Sequence, residues 1–157
     1  MTPASQHFLS DPVKLTAQDA VAAMLMLDDG RYVMQLRDDK RGIFYPGHWG
    51  CFGGAVNPGE PPDEALRREL QEELEFDACE FSVFTQFDFD FSPLGGTKVF
   101  RIYYTVTVPT AAFKRFVLHE GAEFGAFTAR SLLEDHRLVP YDAFALWLHT
   151  SKARVST

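Results

Sequence analysis

Hydrophobic and polar positions change period along this chain, and each change marks a predicted element. Ala20–Leu27 is an unbroken apolar run of strand length. Asp28-Asp29-Gly30 supplies a hairpin turn, and Arg31 to Arg37 reads as the returning strand. Asp38 to His48 is a charged loop containing Gly42, Pro46 and Gly47. Trp49 to Phe52 is a short strand that feeds a Gly53-Gly54 turn. Pro62 then opens a helix, since a proline at the first turn removes no helical hydrogen bond. Asp63 and Glu64 suit its positive end, and Leu66, Leu70 and Leu74 form one apolar stripe.

Beyond the helix the period falls to two. From Cys79 to Phe91 the residues Phe81, Val83, Thr85, Phe87, Phe89 and Phe91 share one predicted face. Ser92 to Gly96 is a turn, and Lys98 to Val108 is the next strand, with Phe100, Ile102, Tyr104 and Val106 on one side. Phe124 to Phe127 predicts a short strand and Ala129 to Asp135 a short helix. Pro140 starts a last helix carrying Phe144, Trp147 and Leu148. Met1 to Gln18 is an irregular lead-in broken by Pro3 and Pro12. This order predicts an α+β domain with a mixed sheet packed between helices.

At 157 residues, with no repeat or low-complexity tract, one domain over 1–157 is expected. Hydrophobic content of 46% and 15 phenylalanines exclude a disordered chain. A net charge of −7 argues against binding a nucleic-acid polymer, yet leaves a nucleotide open if a cation supplies the positive charge. Cys51 and Cys79 lack paired ligand spacing and read as buried thiols. Nothing resembles a signal peptide or a membrane span, so the expected location is the cytoplasm, with no membrane partner.

The chemistry concentrates on the first helix. Glu69, Glu72 and Glu73 are spaced i, i+3, i+4 and share a face. On a helical wheel Glu73 lies beside Leu66, so the carboxylates should border the packed side. Like charges so placed destabilise a helix by roughly 0.2–0.5 kcal/mol, more when partly buried. A hard divalent cation relieves that cost. Arg68 reaches Glu64 and Glu72 by helical spacing.

Together with the preceding turn, these residues resemble the Nudix box, G-x5-E-x7-R-E-U-x-E-E-x-G-U, with U a bulky aliphatic residue. Gly54, Glu60, Arg68, Glu69, Leu70, Glu72, Glu73 and Phe76 fall on the pattern, and Glu75 stands where the family usually has glycine. The resemblance implies an α/β/α sandwich and a hydrolase acting on a nucleoside diphosphate linked to another group. It implies a metal site at Gly54, Glu69, Glu72 and Glu73 for magnesium, with manganese as the alternative ion. Arg68 would orient a catalytic glutamate and Glu60 would brace the helix. A homodimer is typical of the family. Because a left-handed glutamate costs roughly 1 kcal/mol, the helix is expected to end differently at Glu75.

The segment Leu118 to Glu123 resembles the family's later acidic loop, so the resemblance implies Glu69, or Glu120 or Glu123 of that loop, as general base, and either loop glutamate as an extra metal ligand. Arg37 and Arg101 are candidates for phosphate contact. Tyr45, Trp49, Phe87 and Phe89 are candidates for stacking on a base, and His48 for lining the cleft. A non-catalytic nucleotide-binding domain of the same fold is the alternative. An isopentenyl diphosphate isomerase-like enzyme would need a reactive cysteine, for which Cys51 is the candidate.

Overall fold

The structure, a computed structural model, describes residues 19–90, 92–94 and 98–155. The predicted lead-in, Phe91 and the Gly95-Gly96 end of the predicted turn lie outside the described residues. Seven strands form one mixed sheet: β1 (Ala20–Leu27), β2 (Tyr32–Leu36), β3 (Trp49–Gly50), β4 (Phe52–Ala55), β5 (Phe81–Asp90), β6 (Lys98–Val108) and β7 (Glu123–Phe127). Among the described residues four α-helices accompany it: α1 (Pro62–Leu74), the single turn α2 (Thr110–Phe113), α3 (Ala129–Asp135) and α4 (Pro140–Val155).

β1 lies inside the sheet, parallel to β6 and antiparallel to β2 and β4. The stretch predicted as one strand from Trp49 to Phe52 is split at Cys51. Trp49 and Gly50 pair with β2, whereas Phe52 to Ala55 pair with β1. The chain changes partner there because β1 and β2 each leave only part of their edge open to it.

Both faces of β1 are buried, which explains its continuous apolar sequence. Val21, Ala23 and Leu25 pack with Val33, Tyr104 and Val106 beneath the leucine stripe of α1. Ala22 and Met24 pack with Tyr103, Met34, Leu132 and Leu146 on the side of α3 and α4. The sheet is thus sandwiched between helices, as the hydrophobic pattern predicts.

Three expectations need correction. A β-bulge between Val83 and Thr85 breaks the predicted face of β5. Phe81 and Val83 lie on the α1 side opposite Val106 and Tyr104, Val83 58% exposed, whereas the partly buried Phe84 and Phe87 pack on the side of α4. Gly53 and Gly54, predicted as a turn, lie within β4 and pair with Ala22 and Val21. Cys79 is exposed, and only Cys51 is a buried thiol. In α4, Phe144 and Trp147 are exposed; the buried stripe is Tyr141, Asp142, Ala145, Leu146 and His149. Among the described residues no helix is long and apolar enough to cross a membrane.

The bulge sets a test on β5. Val83→Asp should change unfolding stability by no more than about 0.5 kcal/mol. Phe84→Ala should cost about 3 kcal/mol in urea unfolding. Reversed costs would mean the bulge is misplaced.

Candidate active site

Two glycines within β4 let α1 approach the sheet closely. Gly53 has φ 133°, and a Cβ there would stand 2.1 Å from the Val21 carbonyl oxygen. A Cβ on Gly54 would meet the Glu69 carboxylate at 2.6 Å. With no side chain in the way, the Gly53 N–H donates to Glu73 Oε2 at 2.9 Å. Side chains of the box are therefore held against backbone of β4 rather than in solvent.

Arg68 organises the polar side. Its Nε and Nη2 grip the two oxygens of Glu60 at 2.8 and 3.0 Å, a bidentate pair. Nη2 also donates to the Ala55 carbonyl at 2.9 Å, and Nη1 donates to Glu69 at 2.8 Å and Glu72 at 3.3 Å. Glu60 in turn accepts from the Asn57 N–H at 2.9 Å, so loop, helix and strand end are stitched through one guanidinium. The Arg68 hydrogen bonds hold the Glu60 carboxyl below its usual range, with the Asn57 N–H assisting. The expected contact with Glu64 is replaced by Glu60, because Arg68 points back over the turn instead of along the helix.

The three helix glutamates differ in environment. Glu73 is 3% exposed, and burial pushes its carboxyl up to about 8, with the charges of Glu69 and Glu120 adding to the rise. The Gly53 N–H and Gln35 act the other way. Glu69 is also raised, chiefly by burial, while Arg68 opposes the shift and Glu72 and Glu120 reinforce it. The Glu72 side chain is 60% exposed, so the expectation that all three border the packed side holds for Glu69 and Glu73 alone. Glu120 acts electrostatically on both Glu69 and Glu73. Glu123 opens β7 opposite Leu36, on exposed ground.

Gln35 was not singled out from sequence. Its side chain is 4% exposed, donates to the Cys51 carbonyl at 3.3 Å and opposes the rise in Glu73's proton affinity. The signal was a lone amide in the otherwise apolar strand Tyr-Val-Met-Gln-Leu.

Among the described residues no three acids converge as a ready ligand set for a metal. Glu69 and Glu72 are instead turned to Arg68. The donor chemistry still fits a hard divalent ion: oxygen ligands that raise one another's proton affinity, one of them buried. Such an ion takes several of its ligands from water, so an incomplete protein set suits it.

A second cluster lies on the α4 side. Arg101 sits over the Tyr141 ring, 4.6 Å from its centroid, and donates to the Tyr141 hydroxyl at 3.3 Å. Its Nε is sealed from solvent without a hydrogen-bond partner. Tyr45 adopts a left-handed backbone, φ 49°, and sets its ring 5.8 Å from Tyr141 and 5.6 Å from His48. Arg37 donates through Nε to the Phe44 carbonyl at 2.7 Å. It lines a small recess with Gln35, Glu120 and Gly121, and its charge is felt at Tyr141. Arg37 therefore stands between the acidic and aromatic clusters. Trp49 belongs to neither; its ring packs on Phe127 and His136. Phe87 and Phe89 pack against each other and against Phe144. Cys51 is buried with Sγ 4.0 Å from Met24 Sδ, and burial pushes its thiol up, which opposes a nucleophilic role.

Comparison with known proteins agrees with this architecture. The NUDIX domain profile matches residues 16–155, so the chain belongs to the Nudix hydrolase family. Nucleoside triphosphatase NudI of Escherichia coli is 47% identical over 57 residues, which is 36% of this chain and 40% of the relative. The chain thus matches less than half the length of that relative. The MutT protein of Methanosarcina mazei Go1 superposes with a TM-score of 0.71 at 22% identity, covering 89% of this chain and 96% of the other. The NUDIX domain of Shewanella oneidensis NrtR, complexed with ADP ribose, gives a TM-score of 0.69 at 16% identity, covering 99% and 100%. These two likenesses establish the fold. Enzymes of the family generally use a divalent metal.

Glu73 makes the stability of the metal-free protein depend on pH. The folded state holds this proton more tightly than the unfolded chain, so stability is lost as pH rises from about 4.5 to about 8. Melting curves in a chelator should show Tm falling across that window, and Glu73→Gln should remove most of the slope. A flat wild-type profile would contradict the burial of this carboxylate.

Proposed function

We propose that this chain is a magnesium-dependent hydrolase that cleaves a phosphoanhydride bond in a nucleoside diphosphate linked to another group. The observation that carries this reading is the buried Glu73 carboxylate. It accepts from Gly53 of β4, beside Gly54, where a Cβ would meet Glu69, and the charges of Glu69 and Glu120 raise its proton affinity. Ionising a buried carboxylate beside other acids is unfavourable without a cation, and a diphosphate substrate would bring further negative charge to the same place. Glu69, Glu72 and Glu73, with the backbone of Gly54, would hold magnesium, manganese being the alternative. When bound, the ion neutralises charge on the phosphoryl oxygens.

The residues divide the work. Glu69 is the preferred general base: burial raises its proton affinity, while Arg68 opposes that rise and keeps the carboxylate aimed. It would take the proton of a water attacking phosphorus in line. Glu60 holds Arg68 in place and so acts through Glu69. Glu120 supplies a further carboxylate to the same locus, as ligand or alternative base. Arg37, beside Glu120, is placed for phosphate, and Arg101 with Tyr45 and His48 for the planar end of the substrate.

Nucleoside triphosphates and ADP-ribose are the first substrates to try, since NudI is described as a nucleoside triphosphatase and the NrtR domain holds ADP ribose. With magnesium and a panel of triphosphates, nucleotide sugars and dinucleotides, one class should be hydrolysed. Glu69→Gln and Glu73→Gln should each lose about 100-fold or more in kcat while remaining folded. Full activity in both variants would sink the assignment. Substrate binding without turnover across the panel would favour the nucleotide-binding regulatory reading. Arg101→Gln should raise KM about tenfold with kcat little changed, as loss of uniform binding requires.

A further inference from the structure

Glu75 closes α1 in the left-handed conformation, φ 53° and ψ 34°. The helix thus ends as it would with glycine, contrary to the expectation from sequence. A side chain in that conformation costs roughly 1 kcal/mol, so something must offset the strain. The backbone shares in it: Glu75 N–H returns to Gln71 O at 3.0 Å and Phe76 N–H to Leu70 O at 3.2 Å. The side chain does something more specific. Glu75 Oε1 lies 2.7 Å from His119 Nε2. A carboxylate can only accept, so Nε2 carries the proton.

His119 belongs to the loop that bears Glu120. That loop is stitched to α1 through its backbone, with Val117 N–H on Leu74 O at 3.2 Å and His119 N–H on Glu73 O at 2.9 Å. On the far side Ala122 N–H bonds Leu36 O at 2.9 Å, at the end of β2. Glu120 therefore hangs between two anchored points, lines the recess of Gln35 and Arg37, and its charge is felt at Glu69 and Glu73. Ionised Glu120 and Glu69 repel, which pushes the loop away from the helix. The Glu75–His119 hydrogen bond opposes that push on the one side where the anchor is the catalytic helix itself.

We propose that Glu75 and His119 are positioning residues that hold Glu120 against Glu69 and Glu73. The proposal rests on the reading that Glu120 takes part in the hydrolysis. It assigns a task to the one box position that departs from the family pattern.

The test combines single and double variants, assayed with magnesium on deoxynucleoside triphosphates and on ADP-ribose, with hydrogen exchange on the same proteins. Glu75→Ala and His119→Ala should each lower kcat about tenfold, leave KM within about twofold, and stay folded. Amides of Val117 to Glu120 should exchange faster in both. His119→Gln, which can still donate to Glu75, should recover most of the activity. Pairing His119→Ala with Glu120→Gln should be no worse than Glu120→Gln alone. Multiplied losses in that pair, or wild-type kcat in His119→Ala beside a crippled Glu120→Gln, would overturn the proposal. A fully active Glu120→Gln would remove Glu120 from the chemistry and the proposal with it, while a dead Glu73→Gln in the same assay would leave the hydrolase reading standing.

Discussion

The close approach of α1 to Gly53 and Gly54 of β4 is the constraint on which the rest of the site depends. Gly53 has no room for a Cβ against Val21, and Gly54 has none against Glu69. Helix and strand can therefore touch through backbone and carboxylate. The leucine stripe supplies the attraction, burying Leu66, Leu70 and Leu74 completely. Glu73, one helical step from that stripe, is carried under with it. Its desolvation is a consequence of packing, and the single N–H of Gly53 offsets only part of the cost.

Arg68 answers the same constraint from the solvent side. Its guanidinium gathers Glu60, Glu69, Glu72 and the Ala55 carbonyl around one charge. Five donors in a fixed plane suit this task better than the point charge of a lysine would. The result separates the acids into roles by environment: Glu60 clamped and lowered, Glu69 aimed and raised, Glu73 buried and raised further, Glu72 largely in water. The opposite face of the sheet is built differently, from Tyr141, Tyr45 and a cation sealed among rings. Arg37, at the end of β2, stands where the two meet.

Much of the fold was legible because strong local signals agree with the tertiary outcome. β1 and β6 were bounded by their hydrophobic runs, and α1 by Pro62 and the end of its leucine period. The failures have local causes. The bulge at Val83 and Thr85 inserts a residue that no period-two reading can anticipate. Gly53 and Gly54 read locally as a turn, yet β1 pairs with both and keeps them in β4. The left-handed Glu75 is sustained by His119, 44 residues further on. No local cost estimate includes such a partner.

For the site, the acidic helix face, the arginine beside it and the glycines before it could be read along the chain, since all lie within one short segment where spacing is geometry. Which glutamate is buried and which is wet depends on where the sheet lies relative to the helix, so it emerges only from the fold. The fold also makes the charge of Glu120 felt at Glu69 and Glu73, leaves Glu123 exposed at the start of β7, and buries Gln35 in the middle of an apolar strand. Burial and electrostatic coupling are properties of neighbours in space, and neighbours from distant segments are what a one-dimensional pattern omits.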